Sequence, residues 1–253
     1  MSTDSLFIVT GASRGMGEAI ARQLLQPGHR VLGISRQINP ALTQLAKERG
    51  AELEQWAQDL GQPLAAAQRL EAWLNAIGAR GFASASLINN AGVVSTPGPL
   101  GQSSAEELSN ALRVGLESCL LLSSVFLRAT AGWSASRKIL NISSGLGRRA
   151  MAGSAAYCAA KAGMDHFSRA VAMEEASLAN GARIVSLAPG VIDTDMQVQL
   201  RASDPARFPE RAKFVELKAA GQLTTPDEAA TQVLRYLARA DFGSNPIGDV
   251  RDA

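Results

Sequence analysis

Apolar and polar positions alternate along this chain in two rhythms. Short apolar or β-branched runs, Leu6 to Thr10, Arg30 to Ser35, Leu53 to Gln58, Ser86 to Asn89, Arg137 to Ser143 and Arg183 to Ala188, read as strands. Between them, segments of helical period read as helices over Gly15 to Leu25, Pro40 to Arg49, Pro63 to Ile77, Ala105 to Ala131 and Ser154 to Ala179. Strand and helix in such regular alternation imply a parallel sheet covered on both faces, because parallel neighbours need a crossover that a helix supplies. Most of the strands are apolar throughout, as doubly covered strands are. The expectation is an α/β fold, a doubly wound parallel sheet in three layers, α/β/α. No internal repeat, low-complexity tract or long Gly/Ser/Pro-rich linker divides the sequence, so residues 1–253 are read as one domain. The rhythm breaks over Asp193 to Leu223, which is rich in Arg and Glu and punctuated by Pro205, Pro209 and Gly221. A connection of that length in a compact domain is read as a substrate lid. Helix-like character returns over Thr225 to Arg239, opening with Thr225-Pro226-Asp227-Glu228 as a capped start does.

Composition narrows the function classes. The chain has 253 residues, 46% apolar and 19% charged, with 25 basic residues against 23 acidic ones, the profile of an ordinary soluble globular protein. A net charge of +2 leaves no electrostatic footprint for nucleic acid, the pair Arg148-Arg149 is isolated, and Trp56, Trp73 and Trp133 are scattered. Cys119 and Cys158 are too few for a disulfide framework and lack metal-ligand spacing, so no metal is expected and a reducing cytoplasm fits best. The start Met1-Ser2-Thr3-Asp4-Ser5 has no basic segment before an apolar stretch, and no run of about 18 uncharged apolar residues occurs, so neither a signal peptide nor a membrane span is expected. The expected partner is a small molecule.

The first strand runs into Thr10-Gly11-Ala12-Ser13-Arg14-Gly15-Met16-Gly17 and then a helix. Glycines at 11, 15 and 17 permit a tight turn whose backbone N–H groups approach a pyrophosphate, with the helix start adding its partial positive charge. The turn follows the first strand of a repeating β/α chain, where an open parallel sheet places its nucleotide. No Gly-Lys-Ser/Thr closes the motif, which excludes a P-loop. The second strand ends in Ser35-Arg36, and no acid follows until Glu48. A carboxylate there would favour NAD, whereas Arg36 together with Arg14 can clamp a 2′-phosphate, so NADP(H) is the expected cofactor.

Ser143-Ser144 end another strand, and Tyr157-Cys158-Ala159-Ala160-Lys161 open a long helix with Tyr157 and Lys161 at i, i+4 on one face. A phenol with an ordinary pKa near 10 is a poor acid or base at neutral pH. A neighbouring ammonium is expected to lower it and make proton transfer to a carbonyl practicable, with Ser144 holding the same substrate oxygen. Cys158, beside the tyrosine, is read as a packing residue. His29 and His166 have no partner at catalytic spacing.

Taken together these residues resemble the short-chain dehydrogenase/reductase family. The resemblance runs in order through the Gly-rich turn, Asp59-Leu60, Asn89-Asn90-Ala91-Gly92, Ser144, Tyr157 to Lys161 and Pro189-Gly190. It implies a Rossmann fold and a catalytic set of Ser144, Tyr157 and Lys161. It also implies cofactor contacts from Gly11, Ser13, Arg14, Gly15, Met16, Gly17, Arg36, Asp59, Leu60, Asn90, Gly92, Tyr157, Lys161, Pro189, Gly190, Ile192 and Thr194. Among these, Asp59 would meet the adenine, Lys161 the nicotinamide ribose, and Ile192 and Thr194 the carboxamide. Asn141 to Gly145, Ala188 to Gln197 and Leu217-Lys218 look most like the sepiapterin reductase-like benzil reductases, which implies NADPH-dependent reduction of a small carbonyl compound, an aromatic 1,2-diketone among the candidates.

One departure touches mechanism. The family commonly carries an Asn in the middle of the helix after Asn-Asn-Ala-Gly, where it holds a water linking the lysine to solvent; here Gly115 stands there. Glycine offers no amide, Asn110 lies off that face, Ser118 is a weak candidate, and the relay is left unassigned. A non-catalytic NADP(H)-binding sensor is therefore the rival reading, and a 3-oxoacyl-type reductase the rival within enzymes. By resemblance the two long helices pack against a second subunit, with Leu116, Leu120 and Met173 as apolar surface. The tail Asn245 to Ala253 is short and lacks the usual Asp-Gly-Gly ending, which favours a homodimer over a homotetramer.

Overall fold

Strands whose side chains are buried on both faces pack only inside a helix-covered sheet, and the order of the sheet shows how. The computed structural model describes residues 4–79 and 81–252. Met1, Ser2 and Thr3 of the start and Ala253 of the tail lie outside the described residues. Among the described residues, β1 (Ser5–Thr10), β2 (His29–Ser35), β3 (Glu52–Ala57), β4 (Ser84–Asn89), β5 (Ser136–Ile142), β6 (Arg183–Ala188) and β7 (Ile247–Asp249) form one parallel sheet in the order β3-β2-β1-β4-β5-β6-β7. The order reverses between β1 and β4, and at such a switch point the chain leaves both strands in opposite directions and opens a crevice at their carboxyl ends.

Helices α1 (Gly15–Leu24), α2 (Pro40–Arg49) and α9 (Pro226–Leu237) cover one face, with Ile20, Leu24, Leu42, Ala230 and Val233 in a single apolar cluster with Val9, Leu140 and Val185. The other face is covered by α3 (Pro63–Ile77), α4 (Ala105–Leu112), α5 (Ser118–Ala129) and α6 (Ala155–Ala176), where Leu70, Leu74, Leu122 and Phe126 pack on Ile8, Leu32 and Leu87. The start of α9 is a capping box. Thr225 Oγ1 accepts from Glu228 N, the Glu228 carboxylate accepts from Thr225 N, and Pro226 opens the first turn.

Four sequence expectations change. Residues 105–129 are not one α-helix: α4 and α5 are joined by a π-helical turn, Arg113–Glu117, and Ser118 Oγ donates to Val114 O at 2.8 Å inside it. By length and composition this stretch is apolar enough to cross a membrane, but half of its apolar window is buried in the protein, as in a core helix. The excursion over 193–223 is largely helical, with α7 (Asp195–Ala202) and α8 (Arg211–Ala219). Fully buried Phe208, stacked on Phe214, anchors it, and Thr224 bridges back to Val191 and Asp193 at its base. The C-terminal segment forms β7 against β6; Pro246 and Gly248 mask it in the sequence, yet both are tolerated on an edge strand. At the other edge, β3 is polar and partly exposed. Finally, Leu116 is only partly exposed: a Cβ on Gly163 would stand 2.8 Å from its Cδ2, so it packs in part on α6 within the chain, whereas Leu120 and Met173 are 43% and 78% exposed.

Candidate active site

The crevice at the switch point widens into a cleft of about 1430 Å³ along the carboxyl ends of the strands, and all the residues expected at the site line it. Its floor begins where Gly11 leaves β1 with a φ of +70° and Gly15 enters α1 with a φ of +57°. Arg14, just before the helix, gives no side-chain cap, so the first amides of α1 face the cleft without a capping side chain. Gly17 lies so close to the turn that a Cβ on it would stand 2.2 Å from Gly11 O and 2.3 Å from Asn90 Nδ2. Asn90 fixes that geometry: its N donates to Thr10 Oγ1 and its Nδ2 to Thr10 O, both at 2.9 Å, which ties the ends of β1 and β4 together. Ser13 and Met16 belong to the same turn, and Gly92 follows Asn90.

Further along the cleft Arg36 lies exposed just past β2, and Asp59 and Leu60 follow β3. Asp59 Oδ1 accepts from Gly61 N at 2.9 Å, and a Cβ on Gly61 would come within 3.1 Å of Asn110 Oδ1, so Asn110 borders this part of the cleft. Arg14 is not free beside Arg36: its Nη1 donates to Asp195 Oδ2 at 2.7 Å, linking the Gly-rich turn to the start of α7. The facing wall carries Pro189, Gly190, Ile192 and Thr194 after β6.

Ser144, Tyr157 and Lys161 converge in the middle. Ser144 leaves β5 in extended backbone and accepts from Leu146 N at 3.2 Å, and its hydroxyl hydrogen-bonds the Tyr157 phenol. Lys161 is 3% exposed; its Nζ donates to Ile142 O at 2.7 Å and lies 5.6 Å from the centre of the Tyr157 ring. The expected direction of the tyrosine pKa is reversed. Burial pushes Tyr157 up to about 12, and the bond to Ser144 offsets only part of that. Burial also pulls Lys161 down to about 8, against the opposing pull of Cys119 and Asp165. Both groups sit where charge is poorly solvated, so the protonated phenol is favoured and the ammonium is weakened.

Of the cysteines, Cys119 is the buried one: its Sγ donates to Asn141 Oδ1, and burial pushes the thiol up to about 12. Cys158 is only half-buried, and it is not among the residues that line the cleft. At the relay position, a Cβ on Gly115 would meet Ala160 Cβ at 3.2 Å, so α6 closes on the backbone where the family carries its asparagine. Among the described residues no group of three or more His, Cys, Asp or Glu could hold a metal ion.

The sequence did not reveal several cleft residues: Val94, Arg149, Met151 and Phe214, and Arg251 from the tail. Val94 follows β4, Arg149 and Met151 share the loop before α6, Phe214 is on α8 and Arg251 follows β7, so no one period links them. A signal could have been found only for Arg251, through the strand that precedes it.

A family model described as short chain dehydrogenase matches residues 5–205. The chain is 35% identical over 243 residues to a benzil reductase ((S)-benzoin forming) of Bacillus cereus, covering 96% of each. It is 34% identical over 257 residues to a sepiapterin reductase of Mus musculus, covering 97% of this chain and 96% of that one. Among solved structures, a protein of Agrobacterium tumefaciens named as a 2-deoxy-d-gluconate 3-dehydrogenase, with bound NADP, superposes with a TM-score of 0.78 at 26% identity, covering 97% of this chain and 94% of that one.

Proposed function

Because this chain belongs to the short-chain dehydrogenase family, we propose that it reduces a small carbonyl compound to the alcohol with NADPH, using Ser144, Tyr157 and Lys161. The observation that carries the reading is the convergence of these three side chains on one stretch of the cleft, with the uncapped start of α1 and Arg36 further along it. The cradle suits a dinucleotide. Gly17 and Gly11 bring backbone against backbone where a side chain would intrude, and the open amides of α1 suit a pyrophosphate. Gly11, Ser13, Gly15, Met16 and Gly17 would hold that part, Arg36 a 2′-phosphate, and Asp59, Leu60, Asn90, Gly92, Pro189, Gly190, Ile192 and Thr194 the rest. Arg14 would join Arg36 with the donors that its bond to Asp195, made by Nη1, leaves open. When bound, the reduced nicotinamide supplies a hydride.

The side chains supply the proton. Ser144 and Tyr157 hold the carbonyl oxygen through two hydroxyls. A phenol at about 12 is fully protonated at neutral pH and is a donor suited to reduction, since it yields its proton only as the oxygen gains charge. Lys161, fixed on Ile142 O, steadies the phenolate that forms. Val94, Leu146, Met151 and Phe214 give the same cleft apolar lining, which suits an aromatic substrate and makes an aromatic 1,2-diketone the leading candidate. The segment 193–223 serves as the lid, with Asp193 paired to Lys218 at its base. Exposed Leu120 and Met173 support assembly as a homodimer, which sedimentation would measure.

The test is turnover of a carbonyl panel of diketones, quinones and pterins with NADPH and NADH, read at the nicotinamide absorbance. Tyr157→Phe is expected to lower kcat by about 10²- to 10⁴-fold while still binding NADPH. Arg36→Ala is expected to raise KM for NADPH and leave that for NADH unchanged. NADPH binding without oxidation across the panel would favour the sensor reading that Gly115 motivates, and equal effects of Arg36→Ala on both cofactors would remove the NADP preference.

A further inference from the structure

Below the Ser144–Tyr157 pair lies a buried carboxylate that the proposed chemistry leaves unused. Asp165 is 2% exposed and sits one helical turn beyond Lys161 on α6. Its Oδ1 accepts from Ser143 Oγ and from Ser186 Oγ, each at 2.6 Å, and its Oδ2 accepts from Arg148 Nε at 3.2 Å. All three partners donate, so the group works as an acceptor-only carboxylate.

The positions of those partners matter. Ser143 immediately precedes Ser144 at the end of β5, Ser186 lies in β6, and Arg148 follows the short turn Gly145–Gly147 that Ser144 opens. Arg148 Nη2 reaches on to Gly248 O of β7 at 2.9 Å. Gly147 permits the close approach: a Cβ there would stand 2.9 Å from Asp165 Oδ2 and 2.9 Å from Lys161 O. One side chain therefore gathers the segment bearing Ser144, the helix bearing Tyr157 and Lys161, and two strand ends of the cleft floor. Burying a carboxylate against a half-exposed guanidinium is no stability gain over a well-packed apolar residue, so packing alone does not account for it.

We propose that Asp165 is a positioning residue, which locks the Ser144 turn to the Tyr157–Lys161 helix and supplies the negative charge that holds the Lys161 ammonium beneath Tyr157. The assignment rests on Ser144, Tyr157 and Lys161 being the reacting set. Lys161 is faced by Tyr157 and Asp165 from its own helix and by Cys119 from α5; Asp165 is faced by Arg148, and Arg148 in turn by Asp249 of β7 and Tyr236 of α9. Of the groups that face Lys161, Asp165 is the carboxylate, one helical turn along α6, whereas Cys119 is a buried thiol pushed up to about 12.

The test reads Lys161 directly. Protein labelled with ¹³C at lysine Cε is titrated without ligand, and the Lys161 signal is assigned by its loss in Lys161→Arg. In Asp165→Asn the midpoint is expected about one pH unit lower, and in Asp165→Glu it returns toward the original value. Arg148→Gln removes a cation from the same group and is expected to move the midpoint upward, the opposite sign. Damage to packing would not separate the two variants in this way. In turnover, Asp165→Asn is expected to lower kcat about 10- to 100-fold, with KM for the cofactor unchanged and the alkaline limb of the pH profile displaced in the same direction as the midpoint. An unmoved midpoint in folded Asp165→Asn, or shifts of the same sign in both variants, overturns the proposal. If Asp165→Asn does not fold, Arg148→Gln decides: an upward shift supports the proposal and no shift overturns it. Absence of turnover in the unmodified protein would count against the reductase reading alone, since the titration does not depend on it.

Discussion

Gly17→Ala and Gly15→Ala lie two residues apart in one turn and should fail for different reasons. At Gly17 the backbone is unstrained but there is no space: the new methyl would stand 2.2 Å from Gly11 O and 2.3 Å from Asn90 Nδ2, more than 1 Å inside ordinary contact distance. Relief requires moving the backbone of the turn or ejecting the Asn90 amide, which gives up its 2.9 Å bond to Thr10 O. Overpacking costs about 1–3 kcal/mol and a lost hydrogen bond about 1 kcal/mol, so the ligand-free protein should lose about 2–4 kcal/mol. At about 2–4 °C per kcal/mol for a chain of this size, Tm should fall by roughly 5–15 °C. At Gly15 the space is free, the nearest atom being Thr194 Cγ2 at 3.7 Å, and the only cost is a left-handed φ of +57°. That costs about 1–2 kcal/mol. Urea and thermal unfolding of the two variants in the absence of any nucleotide separate the terms. A loss at Gly17 no larger than at Gly15 would refute the claim that backbone contact with Asn90 and Gly11, rather than the nucleotide alone, demands this glycine.

Two further outcomes follow from the buried charges and the lid. Lys161 is pulled from its ordinary 10.5 to about 8 by burial, so the unfolded chain binds more protons between those values and the native protein gains stability as pH rises through them. Compared with Lys161→Met, the unmodified protein should therefore gain about 2 kcal/mol between pH 8 and 10, and urea midpoints that run parallel across that range would contradict the shift. Lys218→Ala removes the half-exposed pair with Asp193, worth at most about 1 kcal/mol, so KM for the carbonyl should rise about two- to fivefold with Tm unchanged.

The two rhythms of the sequence locate the strands and most helices because burial on both faces of a sheet and on one stripe of a helix leaves a direct imprint on side-chain order. α2 and α3 run over the expected residues, Pro40–Arg49 and Pro63–Ile77, since proline at the first helical turn marks both starts. The residues of the cleft were legible for a related reason: glycine spacing and the i, i+4 pair Tyr157–Lys161 are local patterns, and a doubly wound sheet has one place to use them.

Energies that depend on distant neighbours were not legible. Tyr157 and Lys161 could be paired from sequence, but burial in the fold, which raises the phenol's pKa and lowers the ammonium's, could not be read from their spacing. Arg14 and Arg36 share the cleft, yet Arg14 meets Asp195, 181 residues away, and Asp165 meets one serine just past β5 and another on β6. The π-helical turn at Arg113–Glu117 and the edge strand Ile247–Asp249 likewise depend on packing against α6 and β6. Sequence by itself determined the layers, the parallel order of the repeating units and the residue types at the carboxyl ends of the strands. Tertiary structure alone decided which charges meet, which protons are held and how the excursion after β6 is anchored, because electrostatic and packing energies depend on separation in space, and that separation is set only when the whole sheet closes.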